Sequence, residues 1–344
     1  MENFYVVKIL FLTALASLAA VLWTPLLTHF LYKYRLGKSI RNNGTTPIFT
    51  ALHKEKEGTP TMGGLIIWVT VLAVALVFFY AGKFIDLDFF RQLNFLTRSQ
   101  TLLPLGSLVA AAIIGLGDDI LDIRGRGKGG LSIKQRLLIY TLIAAVGALW
   151  FYFKLDWDLL HVPFVGNFQI GWWYIPIFIF IIVATAFSVN FIDGLDGLAG
   201  GTLLTAFGAY GVIAFVQGKY DLAAFCGVII GALIAFLWFN IKPARFFMGD
   251  TGAMSLGVTL GIIAMLTNQA LLLPIIGVLF VVETLSSIIQ FISKKMRGKK
   301  IFLSSPIHHH LEAVGWPEYK IVMRFWLISG VSAVIGLILF LLDK

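Results

Sequence analysis

Ten apolar stretches follow one another with only short polar connectors between them, at residues 6–32, 61–80, 101–118, 132–153, 172–189, 198–217, 221–240, 251–268, 270–293 and 320–342. A helix needs about 20 mostly apolar residues to cross a bilayer. Inside lipid, only helices and closed barrels satisfy their own backbone polar groups. The sequence therefore predicts an all-α, polytopic integral membrane protein with ten transmembrane helices, organised as a single domain over 1–344. Composition agrees: 58% of residues are hydrophobic and 13% charged, against roughly 25% charged in soluble proteins. The first stretch is too long for the apolar region of a cleaved signal and lacks a strongly basic leader, so it is expected to stay as the first span. The one cysteine, Cys226, lies inside an apolar stretch and excludes an intramolecular disulfide.

Lys and Arg are distributed unevenly across the two faces. Connectors 33–60, 119–136, 189–197, 240–250 and 294–324 hold 6, 5, 0, 2 and 7 of them, 20 of the 27 in the chain. The other seven are Lys8, Lys83, Arg91, Arg98, Lys154, Lys219 and Lys344. The positive-inside rule makes the richer face cytoplasmic and sets both termini outside. The same bias, with attraction to anionic headgroups, accounts for the net charge of +9 without a nucleic-acid partner.

The unusual polar motifs fall on this same basic face. Residues 53–64 read HKEKEGTPTMGG, where Lys56, hydroxyls including Thr61, and a glycine pair could approach a phosphate. The alternative is a capped helix start, with Thr59 or Thr61 as N-cap. At the end of the third stretch GLGDD places Asp118 beside Asp119. Carboxylates at the membrane edge tend to be functional. Adjacent helical residues diverge by about 100°, so one aspartate can reach a metal or substrate while the other holds a backbone or basic partner. In NFIDGLDGLAGG, Asn190, Asp193 and Asp196 are spaced three apart and would share a face if helical, the alternative being a cap for the sixth span.

WFNIKPARFFMGDTGA brings Asn240, Phe246, Phe247 and Asp250 into one connector. Asp250 suits a hard, oxygen-ligated cation such as Mg²⁺ or a helix cap, and a phenylalanine there can stack on a base or anchor at the interface. SPIHHHLE carries His308, His309 and His310, which diverge too much for a three-ligand zinc site and are better suited to hydrogen-bonding phosphate. These features point to a membrane-embedded enzyme that handles phosphate with Mg²⁺. A transporter, the other class considered, would carry polar residues and broken helices at mid-membrane in matching halves; apart from Glu283 the spans show neither.

In the order KEGTPTMGG, GLGDD, NFIDGLDGLAGG, FFMGDTGA and PIHHHLE, the motifs resemble the polyprenyl-phosphate N-acetylhexosamine-1-phosphate transferase superfamily over essentially the whole chain. Within it, GTPTMGG and the histidine triplet resemble the phospho-N-acetylmuramoyl-pentapeptide-transferases (the MraY family). The resemblance implies ten helices in a bacterial cytoplasmic (inner) membrane and an active site on the cytoplasmic face. The reaction it implies is Mg²⁺-dependent transfer of phospho-MurNAc-pentapeptide from UDP-MurNAc-pentapeptide to undecaprenyl phosphate, giving lipid I and UMP in peptidoglycan synthesis. A sister family uses UDP-GlcNAc. By the same resemblance Asp118 and Asp119 match the paired aspartates of catalysis, Asp250 the Mg²⁺-associated aspartate, and His309 a catalytic position flanked by substrate-binding His308 and His310. Asn190, Asp193, Asp196, Asn240 and Phe247 match nucleotide-side positions, Gln290 lies beside the site, and Lys56 and Thr61 line its cleft. Homodimers and inhibition by nucleoside antibiotics are likewise implied. Reporter fusions test the topology: Lys38, Gly127 and Lys299 are expected to report the cytoplasm and Asp88 and Lys219 the outside, and reversal at two sites refutes the orientation.

Overall fold

The computed structural model describes residues 2–37, 56–125 and 130–343. Positions 38–55 and 126–129, including Lys38, Lys54, Arg126 and Lys128, lie outside the described residues. The long helices are α1 (Glu2–Lys33), α2 (Leu65–Phe84), α4 (Leu102–Arg124), α5 (Ile133–Lys154), α6 (Tyr174–Ile192), α7 (Leu198–Val216), α8 (Tyr220–Asn240), α9 (Gly249–Leu266), α11 (Val278–Arg297) and α13 (Glu318–Leu342). Short helices are α3 (Asp88–Leu93), α10 (Leu273–Ile276) and α12 (Ile307–Ala313). Among the described residues nine helices are long and apolar enough to cross a membrane, and the bent pair Ala270–Ile276 with α11, a broken span or a re-entrant loop, brings the number to ten if it crosses as one.

That break refines the uninterrupted stretch expected at 270–293. Pro274 sits in the first turn of α10 and Gly277 separates the two pieces, which meet at 81°. Proline and glycine are the usual causes of so sharp a kink. Beyond the bend α11 is two-faced. Glu283, Ser286, Gln290 and Ser293 turn inward, while Val282, Leu285, Ile289 and Ile292 are exposed. The connector between α5 and α6 holds an antiparallel hairpin, Leu159–Val162 (β1) with Gly166–Gln169 (β2).

Helix α9 stands at the centre, with every residue buried. Lipid tails are as apolar as leucine, so membrane helices associate chiefly through close packing of small residues. A Cβ added to Gly115 of α4 would lie 2.4 Å from the Asp250 carbonyl oxygen of α9. One added to Gly64, just before α2, would lie 2.3 Å from the Gly252 Cα. Both contacts are backbone on backbone and cannot yield by a rotamer change. Gly115→Ala is therefore expected to cost about 1–3 kcal/mol, read as a lower melting temperature in detergent. Gly117→Ala, with nothing within 4 Å of its added Cβ, is expected to leave it unchanged.

Candidate active site

Up-and-down alternation brings the ends of α4, α6 and α8 and the starts of α2, α5, α7, α9 and α13 to one end of the bundle, and the polar motifs gather there. Three clusters form, joined by the connectors.

The first cluster centres on Arg136, in the first turn of α5. Its Nη2 lies 2.8 Å from Asp118 Oδ2 and 2.7 Å from Asp250 Oδ2, and Nη1 donates to Asp250 Oδ1 at 3.1 Å and Asn190 Oδ1 at 3.0 Å. Asn190 Nδ2 donates to Asp250 Oδ1 at 2.5 Å, and the Leu131 N–H donates to Asp118 Oδ1 at 2.5 Å. Four helices thus meet on one guanidinium. Asp118 has no exposed surface and Asp250 little, and removing one member of such a buried set costs about 3–5 kcal/mol.

Asp119 takes the other role open to a member of the pair. Its oxygens accept from the Asp250 N–H at 3.1 Å and the Thr251 N–H at 3.0 Å, and Thr61 Oγ1 lies 3.4 Å away. It satisfies the first turn of α9. Asp250, for which an N-cap role was an option, is instead the second residue of that helix, so its carboxylate remains directed to Arg136. Neither Thr59 nor Thr61 caps α2, whose cap position is Gly64. The glycine pair of that motif serves packing: the Gly63 and Gly64 N–H groups donate to the Phe247 and Met248 carbonyls, both at 2.8 Å.

In the second cluster Lys56 Nζ meets Asp196 Oδ1 at 2.7 Å and also contacts Glu318 Oε1. Glu318 accepts from the Asp196 N–H at 2.8 Å and pairs with Lys242 at 2.7 Å. Lys56 Nζ is 6.0 Å from the Phe247 ring centroid. Asn240 is spent on the backbone, accepting from the Gly197 N–H at 2.9 Å and donating to the Phe246 carbonyl at 2.8 Å. The expected single face for Asn190, Asp193 and Asp196 is not realised. α6 ends at Ile192, and Gly197, at φ +80°, starts α7 without a side-chain cap. Asn190 joins the first cluster and Asp196 the second, while Asp193 occupies the turn between them, half-buried.

The third cluster is the histidine triplet on α12. His308 Nδ1 meets Glu283 Oε2 at 2.9 Å and His309 Nδ1 meets Glu312 Oε2 at 2.7 Å. The Nε2 atoms of both converge on Gly194, lying 2.3 and 3.2 Å from where a Cβ would stand. His310 turns away, accepting from the Leu303 N–H at 3.2 Å. Gln290 clasps the loop before α12, accepting from the Ile301 and Phe302 N–H groups at 3.0 and 3.1 Å and donating to the Phe302 carbonyl at 2.8 Å. Burial, helped by the neighbouring His308, pushes His309 down to about 4 against the pull of Glu312.

Sequence reasoning missed Arg136, Glu318 and Lys242. A signal for Arg136 existed. Ser132 and Gln135 form a capping box, which fixes the start of α5 and sets a cation against the positive end of a helix dipole. Such a placement implies a nearby anion.

Comparisons with known proteins cover the same ground. Residues 101–268 match the family described as Glycosyl transferase family 4, and residues 56–67 match phospho-N-acetylmuramoyl-pentapeptide-transferase signature 1. A phospho-N-acetylmuramoyl-pentapeptide-transferase of Chloroflexus aggregans is 40% identical over 97% of this chain and 90% of its own. Those of Geobacillus thermodenitrificans and Bacillus subtilis are 39% and 38% identical, over 94% and 96% of this chain and 95% and 97% of theirs.

The histidine cluster carries a pH signature. Between about 6.5 and about 4 the unfolded chain binds a proton at His309 that the folded protein refuses, so stability falls as pH is lowered through that window. The slope from this group is at most roughly 1.4 kcal/mol per pH unit. His309→Gln is expected to flatten the fall in melting temperature from pH 6.5 to 4, and an unchanged profile refutes the assignment.

Proposed function

The chain belongs to the phospho-N-acetylmuramoyl-pentapeptide-transferase family, and from that premise we propose that the Arg136-centred cluster is its catalytic centre. The activity is transfer of phospho-MurNAc-pentapeptide from its UDP donor to a polyprenyl phosphate, with release of UMP. We assign the site to the cytoplasmic face of a bacterial inner membrane, on the Lys and Arg bias of its connectors. The observation that carries the proposal is the convergence of Asp118, Asp250 and Asn190, from three separate helices, on one cation.

Phosphoryl transfer needs in-line positioning and neutralisation of charge more than covalent help. Lys56, Lys242 and Arg136 place three cations along the site, positioned to hold the donor diphosphate and the incoming acceptor phosphate. Phe247, half-buried beside Lys56, offers a ring against which the uracil can stack. The Nε2 atoms of His308 and His309 face the Gly194 turn; His309, neutral with its Nδ1–H on Glu312, offers Nε2 as an acceptor for a substrate hydroxyl or amide N–H.

The residues present fit Mg²⁺. Asp118 and Asp250 aim carboxylate oxygens at one positive centre and Asn190 adds an amide oxygen, an all-oxygen set that a hard cation takes when waters and substrate phosphates complete it. Among the described residues no group of three His, Cys, Asp or Glu could hold a metal ion by itself, so waters and substrate oxygens would have to complete the set. Bound there, Mg²⁺ would neutralise charge developing on the diphosphate.

A single displacement, in which the polyprenyl phosphate attacks the donor's β-phosphate directly, suits this geometry better than an aspartyl intermediate. Asp118 is fully buried with one oxygen on the Leu131 N–H and the other on Arg136, a poor state for a nucleophile. A phosphate monoester, with a second pKa of about 6, is already a competent one.

UMP release in the presence of undecaprenyl phosphate and Mg²⁺ tests the proposal. Turnover is expected with UDP-MurNAc-pentapeptide and not with UDP-GlcNAc. Asp250→Asn and Arg136→Met are expected to lower kcat by about 10²-fold or more, with Arg136→Lys, which keeps the charge but not the fork, in between. Chelation should abolish turnover and added Mg²⁺ restore it. Preference for UDP-GlcNAc would move the chain to the sister activity, and wild-type kcat in both variants would remove the cluster from catalysis.

A further inference from the structure

Helix α9 has 18 residues, about 27 Å at 1.5 Å per residue, and ends in a second polar site at the opposite membrane face. There an open cavity of about 410 Å³ lies beneath the β1–β2 hairpin, lined among others by Trp157, His161, Gln217, Lys219, Asn268 and Gln269. It shares no residue with the catalytic centre.

Three of its lining residues carry buried polar atoms without a hydrogen-bond partner: Trp157 Nε1, Gln217 Oε1 and Gln269 Oε1. Gln269 as a whole is only 7% exposed. The orientation of Gln217 is fixed, because its Nε2 donates to the Thr267 carbonyl at 2.8 Å, which leaves Oε1 as an acceptor. Buried polar groups are paired in the great majority of native structures, so orphans gathered around one cavity mark a place for a polar ligand.

The charge in the cavity is positive. Lys219 Nζ donates to the Leu266 carbonyl at 2.6 Å and lies 5.5 Å from the Trp157 ring centroid, and among the described residues it forms no ion pair. Burial pulls it down to about 8, which leaves it mostly protonated at neutral pH. Its ammonium has further N–H groups to offer. Asp343, an acidic neighbour of the hairpin, is engaged by His161 Nε2 at 2.5 Å and the Phe164 N–H at 2.6 Å. The His161 backbone N–H donates to Asn268 Oδ1 at 3.1 Å, fixing the hairpin over the cavity.

We propose that this cavity binds the headgroup of an anionic glycerophospholipid from the leaflet opposite the catalytic centre. Lys219 and the Trp157 indole N–H are the two donors for phosphodiester oxygens, and the Gln217 and Gln269 amide oxygens accept from the glycerol hydroxyls beyond the phosphate. A choline headgroup would bring a quaternary ammonium to the glutamines, with no proton to donate. The depth argues for lipid over a soluble anion, since the site sits where the apolar spans α7, α8 and α9 reach the interface.

Native mass spectrometry on the full chain in neutral detergent tests this, with phosphatidylglycerol, phosphatidylcholine and sn-glycerol 3-phosphate as probes. The wild type is expected to bind phosphatidylglycerol at least ten-fold tighter than phosphatidylcholine. Lys219→Met and Gln217→Leu should abolish that preference, Lys219→Arg should keep it, and all three should retain wild-type UMP release. If Lys219→Met does not fold, Gln217→Glu, which sets a carboxylate against the phosphate, is expected to lose the preference in its place. Equal binding of both lipids overturns the proposal, as does a preference that survives Lys219→Met and Gln217→Leu. Binding of glycerol 3-phosphate as tight as that of phosphatidylglycerol overturns the membrane source.

Discussion

A helix buried on every side cannot leave its first-turn N–H groups to water, and in α9 the Asp119 carboxylate takes two of them. Without it those N–H groups would each cost about 1–3 kcal/mol in an apolar surround. The same bond fixes α4 to the start of α9, so Asp118, one residue earlier, is fixed relative to Asp250. The adjacent aspartates therefore divide the work. One secures the helix that carries Asp250, and the other meets Asp250 across the Arg136 guanidinium.

This division also explains why the glycine-rich motifs read ambiguously. Glycine beside a phosphate-binding lysine and glycine between two backbones leave the same sequence mark. Gly63 and Gly64 serve the second purpose, hydrogen-bonded and packed against the connector that carries Phe247 and Met248. Lys56 still reaches the site, because that pairing carries residues 56–64 past Asp196. Close packing at a membrane edge is thus the means by which a lysine on a loop becomes fixed.

The spans were legible because each needs a long apolar run, and the polar clusters because carboxylates near hydrocarbon need a reason. Asp118, Asp250 and Asn190 were read as site residues and do converge, and a backbone partner for one of the two adjacent aspartates, here Asp119, was among the options, whereas the other meets Arg136. Long-range partners were not legible. Arg136 looked like one more basic residue in a connector, and Glu318, 262 positions from Lys56, carries no local mark. Helical spacing misled at Asn190, Asp193 and Asp196, where Gly194 and Gly197 end the helix that the three-residue period assumed. Gln290 and Asn240 fell in the right region, but their amides are occupied with backbone groups, a use that composition cannot distinguish from substrate binding.

The position of α9 along its own axis is the quantity on which chemistry at its tip depends. In-line transfer tolerates errors of well under 1 Å, and a 1 Å displacement can cost about 10²-fold in rate. What sets that position is contact at Gly115 and Gly64, where backbones meet with no side chain to absorb a shift. A methyl group at Gly115 would press on the Asp250 carbonyl itself, so the displacement begins at the aspartate proposed to act in catalysis. Such a change spreads a modest loss of stability over the bundle while concentrating the geometric error at the reacting atoms. For this architecture, the small residues that let membrane helices associate are also those that hold the Asp118 and Asp250 carboxylates in register.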